Sequence, residues 1–365
     1  MFYELSCKML KNYWLLLFGI FSLLIVNACN KTVAKNNTEE LAAESTAIVF
    51  PNQSGDPEIV NMRQAMVDFR QTLSADLLAK ADNSLNSERF YLWHNTPAVN
   101  FRGNGFSRTG IMYGDLTPEQ LNAFKVVLRL FLSNRGYQKV DEITTLAEAF
   151  LEERRPSLWK ADYYFIELFG NPQTDGSWGF QLDGHHCAIN FLVHGDYVSM
   201  VPAFLGGEPV KASFNGKDFD IFEKERELGL VLYRHLTEEE RKKAIVGSRS
   251  KELRIGPAQL PDQPDPHRGD FDYSPFRKGL KLSEASSQTA VNMKALMQEY
   301  VNNLTSTFAE KWWTDIEANI ENTYVVWIDD VDEPNATTQF YYRIYNEINT
   351  RNKNVFSSFL FWKFL

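Results

Sequence analysis

Cysteine is scarce. Three thiols in 365 residues, Cys7, Cys29 and Cys187, cannot supply the disulfide framework of a small exported domain, so the core must hold the fold unaided. Positive charge is in deficit as well: 38 Lys and Arg stand against 47 Asp and Glu, a formal net charge of −9. Nucleic acids and anionic headgroups both reward basic patches, so neither is an expected direct partner. No apolar run reaches the roughly 20 residues of a membrane-spanning helix. Several chemistries lack their motif. Gly103-Asn104-Gly105 misses the dinucleotide-loop spacing, and there is no Gly-x-Ser-x-Gly, His-Glu-x-x-His or Cys-x-x-Cys. That weighs against nucleotide enzymes, serine hydrolases and zincins. Paired glycosidase carboxylates stay open, because their separation exists only in three dimensions.

What is present begins with an address. Lys8 and Lys11 precede an apolar run from Tyr13 to Val26, the pattern of a signal peptide over residues 1–28. The run ends Asn27-Ala28-Cys29, similar to a bacterial lipobox in which Cys29 is lipidated. An ordinary signal peptide with a chance cysteine is the alternative. Residues 29–55 then form the lipidated cysteine and a polar tether. The expected location is the cell envelope, periplasmic or cell-surface, with the membrane as partner through the lipid.

With 44% hydrophobic and 14% aromatic residues, the remainder can bury a core. Asp56-Pro57 and Thr117-Pro118-Glu119-Gln120 are helix starts, with Gly136 closing the second helix. Another helix is expected from Val140 to Glu153. The period then changes to that of strands: a meander over about 161–204, in which Trp178–Val193 is one strand. Helices follow over Phe219–Leu236 and Gln288–Phe308, with further strands near 324–328 and 339–344. The expectation is one α+β domain, 56–344, with a largely antiparallel sheet flanked by helices.

The densest polar cluster is Trp178-Gly179-Phe180-Gln181-Leu182-Asp183-Gly184-His185-His186-Cys187-Ala188-Ile189-Asn190-Phe191. On a regular strand Gln181, Asp183, His185 and Cys187 share one face, while Leu182, His186, Ala188 and Asn190 share the other. Two adjacent histidines then cannot bind one ion unless Gly184 hosts a bulge. Asp183 beside His185 suits metal ligation or acid/base work; hydrogen-bonded core histidines are the bland alternative. His94 and His267 are weaker candidates, and His194 and His235 read as structural. Glu225 and Glu227 open a helix, where acidic residues also suit the dipole.

This run resembles the signature of a bacterial family catalogued only as a domain of unknown function. Its members read Trp-Gly-Trp-Gln-Leu-x-Gly-His-His-Leu, then Asn-Phe. Further matches include Leu132-Ser133 with Gly136-Tyr137, Pro202 with Phe204-Leu205-Gly206, Glu225 with Glu227-Leu228, and Tyr341-Tyr342-Arg343-Ile344. The family's C-terminal Asn-His-x-His stretch is missing; residues 345–365 form an aberrant apolar tail. If the resemblance implies a site shared between the two segments, this chain has lost ligands and binds metal poorly.

Three readings follow. The first is a metal-assisted hydrolase-like enzyme with a divalent transition metal on His185 and His186. Asp183, Glu225 or Glu227 would be its base, and Gln181, Asn190 and Trp178 would contact substrate. The second is a surface lipoprotein that captures a small molecule or glycan without turnover. A structural role in the envelope is the third.

Overall fold

Asp56-Pro57 opens a helix for the reason its chemistry suggests. In α1 (Pro57–Thr72) the Asp56 carboxylate accepts from Glu58 N at 2.9 Å, filling an orphan donor ahead of a first-turn proline. Ile59, Met62, Met66 and Phe69 form its buried stripe. The structure, a computed structural model, describes residues 54–91, 108–156, 159–200, 203–245, 279–328 and 340–346. The expected signal peptide, Cys29, His94, His267 and the residues beyond 346 lie outside the described residues. No described helix is long and apolar enough to cross a membrane.

After α2 (Ala75–Ala81) come two short strands, β1 (Asp82–Asn83) and β2 (Ile111–Met112). The expected capping box starts α3 (Pro118–Phe131): Gln120 N donates to Thr117 Oγ1 at 3.3 Å, and Thr117 N to Gln120 Oε1 at 2.9 Å. Gly136 does not close this helix. It sits inside α4 (Asn134–Asp141), where a Cβ would stand 2.2 Å from Asn303 O, so only glycine permits the approach. A π-helical turn (Glu142–Ala147) joins α4 to α5 (Glu148–Arg154).

The main sheet contains β3 (Phe165–Phe169), β4 (Ser177–Gly184), β5 (Cys187–His194), β6 (Tyr197–Ser199) and β7 (Ala203–Leu205). Its order is β1-β3-β4-β5-β6, with β2 on β3 and β7 on β5. Every pairing is antiparallel except β1 with β3. The expected single strand Trp178–Val193 is therefore a hairpin, with Gly184 opposite Cys187 and His185-His186 as a two-residue turn. That corrects the expected faces, because the fold-back restarts the alternation. Gln181 pairs with Asn190, and Asp183 with both Phe165 and Ala188, so these share one face. Cys187 lies on the other, with Leu182 and Ile189. This second face is the core: Phe131 of α3 meets Trp178, Phe180 and Phe191 at ring distances of 5.9, 5.2 and 5.0 Å. Both faces of β4 are buried.

Beyond the sheet, β8 (Lys211–Phe214) and β9 (Lys217–Asp220) make a hairpin on Asn215-Gly216, both at positive φ (51° and 74°), as a primed turn requires. The helix expected from Phe219 thus begins later, as α6 (Glu223–His235), followed by α7 (Glu238–Ala244) behind the Thr237 capping box. After β10 (Leu280–Lys281), the helix expected over Gln288–Phe308 is two, α8 (Ser287–Val301) and α9 (Ser306–Glu317). The break lets Asn303 O accept from Ser133 N at 2.8 Å while Leu304 bridges to Leu132. A second antiparallel sheet joins β10, β11 (Thr323–Ile328) and β12 (Tyr341–Asn346). The fold is α+β with a mostly antiparallel sheet.

Candidate metal centre

The turn between β4 and β5 places two imidazoles side by side. His186 takes φ +61°, a left-handed conformation that glycine or asparagine adopts at least cost. The tight turn between β4 and β5 places it there, and histidine is among the side chains enriched in this region. The rings lie 3.8 Å apart, tilted by 38°, and each residue is 6% exposed, so access is narrow. Gly184 is not a bulge. A Cβ there would meet the Tyr164 ring at 2.3 Å, and the Tyr164 hydroxyl donates to His185 O at 2.7 Å. Gly184→Ala is expected to cost about 1–3 kcal/mol by overpacking, read as a lower thermal midpoint.

Carboxylates meet the rings on both sides. His185 Nδ1 lies 2.9 Å from Glu148 Oε2. With Nδ1–H donated to this buried carboxylate, the lone pair is on Nε2, the arrangement of a metal-ligating histidine with its outer partner. His185 Nε2 and His186 Nε2 lie 3.8 and 3.2 Å from one oxygen, Glu208 Oε2. The Glu208 side chain is 37% exposed and opens the cluster to water. Among the described residues, His185, His186 and Glu208 form a group whose ligand atoms all lie within 4.8 Å of one another. Ligands about 2.1 Å from an ion sit about 3.0–3.4 Å from each other in octahedral or tetrahedral geometry. The 3.2 Å separation falls in that range and the 3.8 Å one exceeds it, so a small inward shift of His185 would complete the set.

The other expected site residues go elsewhere. Asp183 is buried against Arg108, whose Nε donates to its Oδ1 at 2.8 Å. Gln181 Nε2 donates to Asn190 Oδ1 on the same face, which also carries Glu167, raised in pKa chiefly by burial. Trp178 is a core side chain under Phe131. Glu225 is fully buried beside Lys139; burial raises its carboxyl, with the Lys139 charge opposing. Glu227 lies on the exposed side of α6. His194 Nδ1 meets Ser177 Oγ at 2.6 Å and His235 Nδ1 meets Val231 O at 2.7 Å, both structural settings. A cleft of about 580 Å³ lies near α6, lined by Arg135, Asp220, Lys224 and Glu299 among others. Three of its charges already pair within the chain, Asp220 with Arg226 and Lys224 with Glu299. Burial pushes the Cys187 thiol far up. A thiol reagent should therefore leave it untouched in the native protein and modify it only after denaturation.

Sequence reasoning missed both carboxylates. Glu208 is 22 positions from His186 and Glu148 is 37 from His185. Glu148 alone left a trace, an acid between the apolar Ala147 and Leu151 on one helix.

Residues 56–350 match a family described as "Protein of unknown function (DUF3500)". No curated protein and no solved structure matches the chain.

Proposed function

The chain belongs to the DUF3500 family, whose function is unknown, and for it we propose a metal-assisted hydrolase-like activity of the cell envelope, acting on a small molecule or glycan. His185, His186 and Glu208 hold one divalent transition-metal ion in this reading, and Glu148 fixes His185 in the ligating tautomer. The observation that carries it is the convergence of both Nε2 atoms on Glu208 Oε2, with Glu148 behind one ring. Two histidines and a carboxylate leave a coordination position open, the composition of catalytic rather than structural sites. An ion there would lower the pKa of bound water. Asp183 and Glu225 are engaged by Arg108 and Lys139, so neither serves as base in this proposal. Envelope anchoring rests on Cys29 and the apolar run before it. The altered C-terminus matters less than the sequence suggests, since Glu208 supplies a third donor without it. Ligand capture on exposed rings has less support: of the large exposed hydrophobic side chains among the described residues, only Tyr197 is aromatic.

Cobalt-loaded protein tests the proposal. A visible spectrum that shifts on adding azide, with chelator-sensitive cleavage of chromogenic esters or glycosides, is expected. A spectrum indifferent to azide and no cleavage would leave a closed, structural ion instead.

A further inference from the structure

We propose that the π-helical turn Glu142–Ala147 and Tyr164 are the positioning elements of the metal centre, aiming Glu148 at His185; this rests on the reading of the centre given above. Residues 134–154 run as one helix in three parts, α4, the π turn and α5. Two of its side chains have buried polar partners on different elements. Lys139 reaches Glu225 of α6 and, at 3.2 and 3.0 Å, Glu299 and Asn303. Glu148 reaches His185 at 2.9 Å.

Nine positions separate the two. At about 100° per residue an unbroken α-helix would set them on opposite sides. A π turn takes up one extra residue, returning Glu148 to within about a quarter turn of Lys139. Both side chains are buried, Lys139 at 0% and Glu148 at 3% exposure, as that shared side requires. The wider turn thus lets one helix serve two networks.

Tyr164 stands between this helix and the histidine turn and is bonded to the turn. Its hydroxyl lies 3.4 Å from Ile143 O in the π turn, 3.5 Å from Glu148 Oε2 and 2.7 Å from His185 O. Its ring occupies the space that the missing Cβ of Gly184 leaves. One proton cannot serve three acceptors, and the shortest contact assigns it to His185 O.

Tyr164→Phe removes one oxygen, and deletion of Thr145 removes the extra residue, leaving Glu148 about 80° from Lys139 on an unbroken α-helix. Two readouts separate positioning from general stability: zinc affinity by chelator competition, and the His185 Nδ1–H signal in metal-free protein by NMR. Tyr164→Phe is expected to weaken zinc about 10–100-fold, the usual scale for outer-shell partners, and to lose the protected Nδ1–H signal. The Thr145 deletion, where it folds, should keep the signal, because an unbroken α-helix then holds Glu148 in the direction the π turn gave it; where it does not fold, Tyr164→Phe decides. A lower melting temperature with both readouts unchanged in Tyr164→Phe would overturn the proposal, as would loss of the signal from folded deletion protein. Failure of the wild type to bind zinc would sink the metal reading alone, since the metal-free NMR still reports on Glu148 and His185.

Discussion

Lys139→Met is expected to destabilise the fold by about 3–5 kcal/mol at neutral pH, the scale for stripping one partner from a buried ion pair. The Lys139 side chain is 0% exposed and so is that of Glu225, with Glu299 at 8%. The cluster joins α4, α6 and α8, so its loss strikes three helices at once. Removing the ammonium leaves Glu225 as a buried carboxylate without its nearest counter-charge, and burial already raises that carboxyl. The sign of the pH effect follows. A carboxyl whose folded pKa exceeds its unfolded value binds more protons when folded, so its contribution is intact below the unfolded pKa and lost as pH rises through the folded one. Lys139→Met should therefore be least damaging in mild acid and most damaging at neutral pH. Lys139→Met with Glu225→Met should recover much of the loss, since an apolar pair of similar volume needs no compensation. Urea unfolding at two pH values measures both. A single variant within about 1 kcal/mol of wild type at neutral pH would mean that the cluster is solvated in a way the burial does not allow.

His186→Asn should separate the fold from the site. Asparagine tolerates the left-handed backbone that His186 adopts at φ +61°, so the hairpin turn persists and thermal stability changes little. The Nε2 atom that meets Glu208 at 3.2 Å is lost. Zinc affinity is expected to fall about 100-fold or more, beyond the 10–100-fold attached to an outer-shell partner. Isothermal titration of the variant against wild type reads it. Equal affinity would remove His186 from the ligand set.

Local chemistry carried the parts of the fold that were legible. The Asp56 and Thr117 caps act as their residue types require, and the strands near 324–328 and 339–344 pair as expected. The misreadings share a cause: a distant contact outweighed a local signal. Gly136 looked like a helix stop and is instead the point where α4 meets Asn303 O. Gly184 looked like a bulge and makes room for Tyr164. Asn215-Gly216 is a strong hairpin signal, yet the helical pattern starting at Phe219 concealed it. His-His lacks the residues that usually mark a two-residue turn, so β4 and β5 were read as one strand. The histidines themselves were legible because two adjacent imidazoles are rare chemistry. Their carboxylates were not, because Glu148 comes from a helix and Glu208 from the stretch after β7, and only the folded chain brings them together.

The most direct measurement is the zinc content of protein folded, loaded and then passed through a desalting column, set beside His185→Ala and His186→Asn. One equivalent in the wild type and none in either variant is the predicted result. An empty wild type, or an equivalent of zinc that survives both substitutions, would contradict an ion held between this hairpin turn and Glu208.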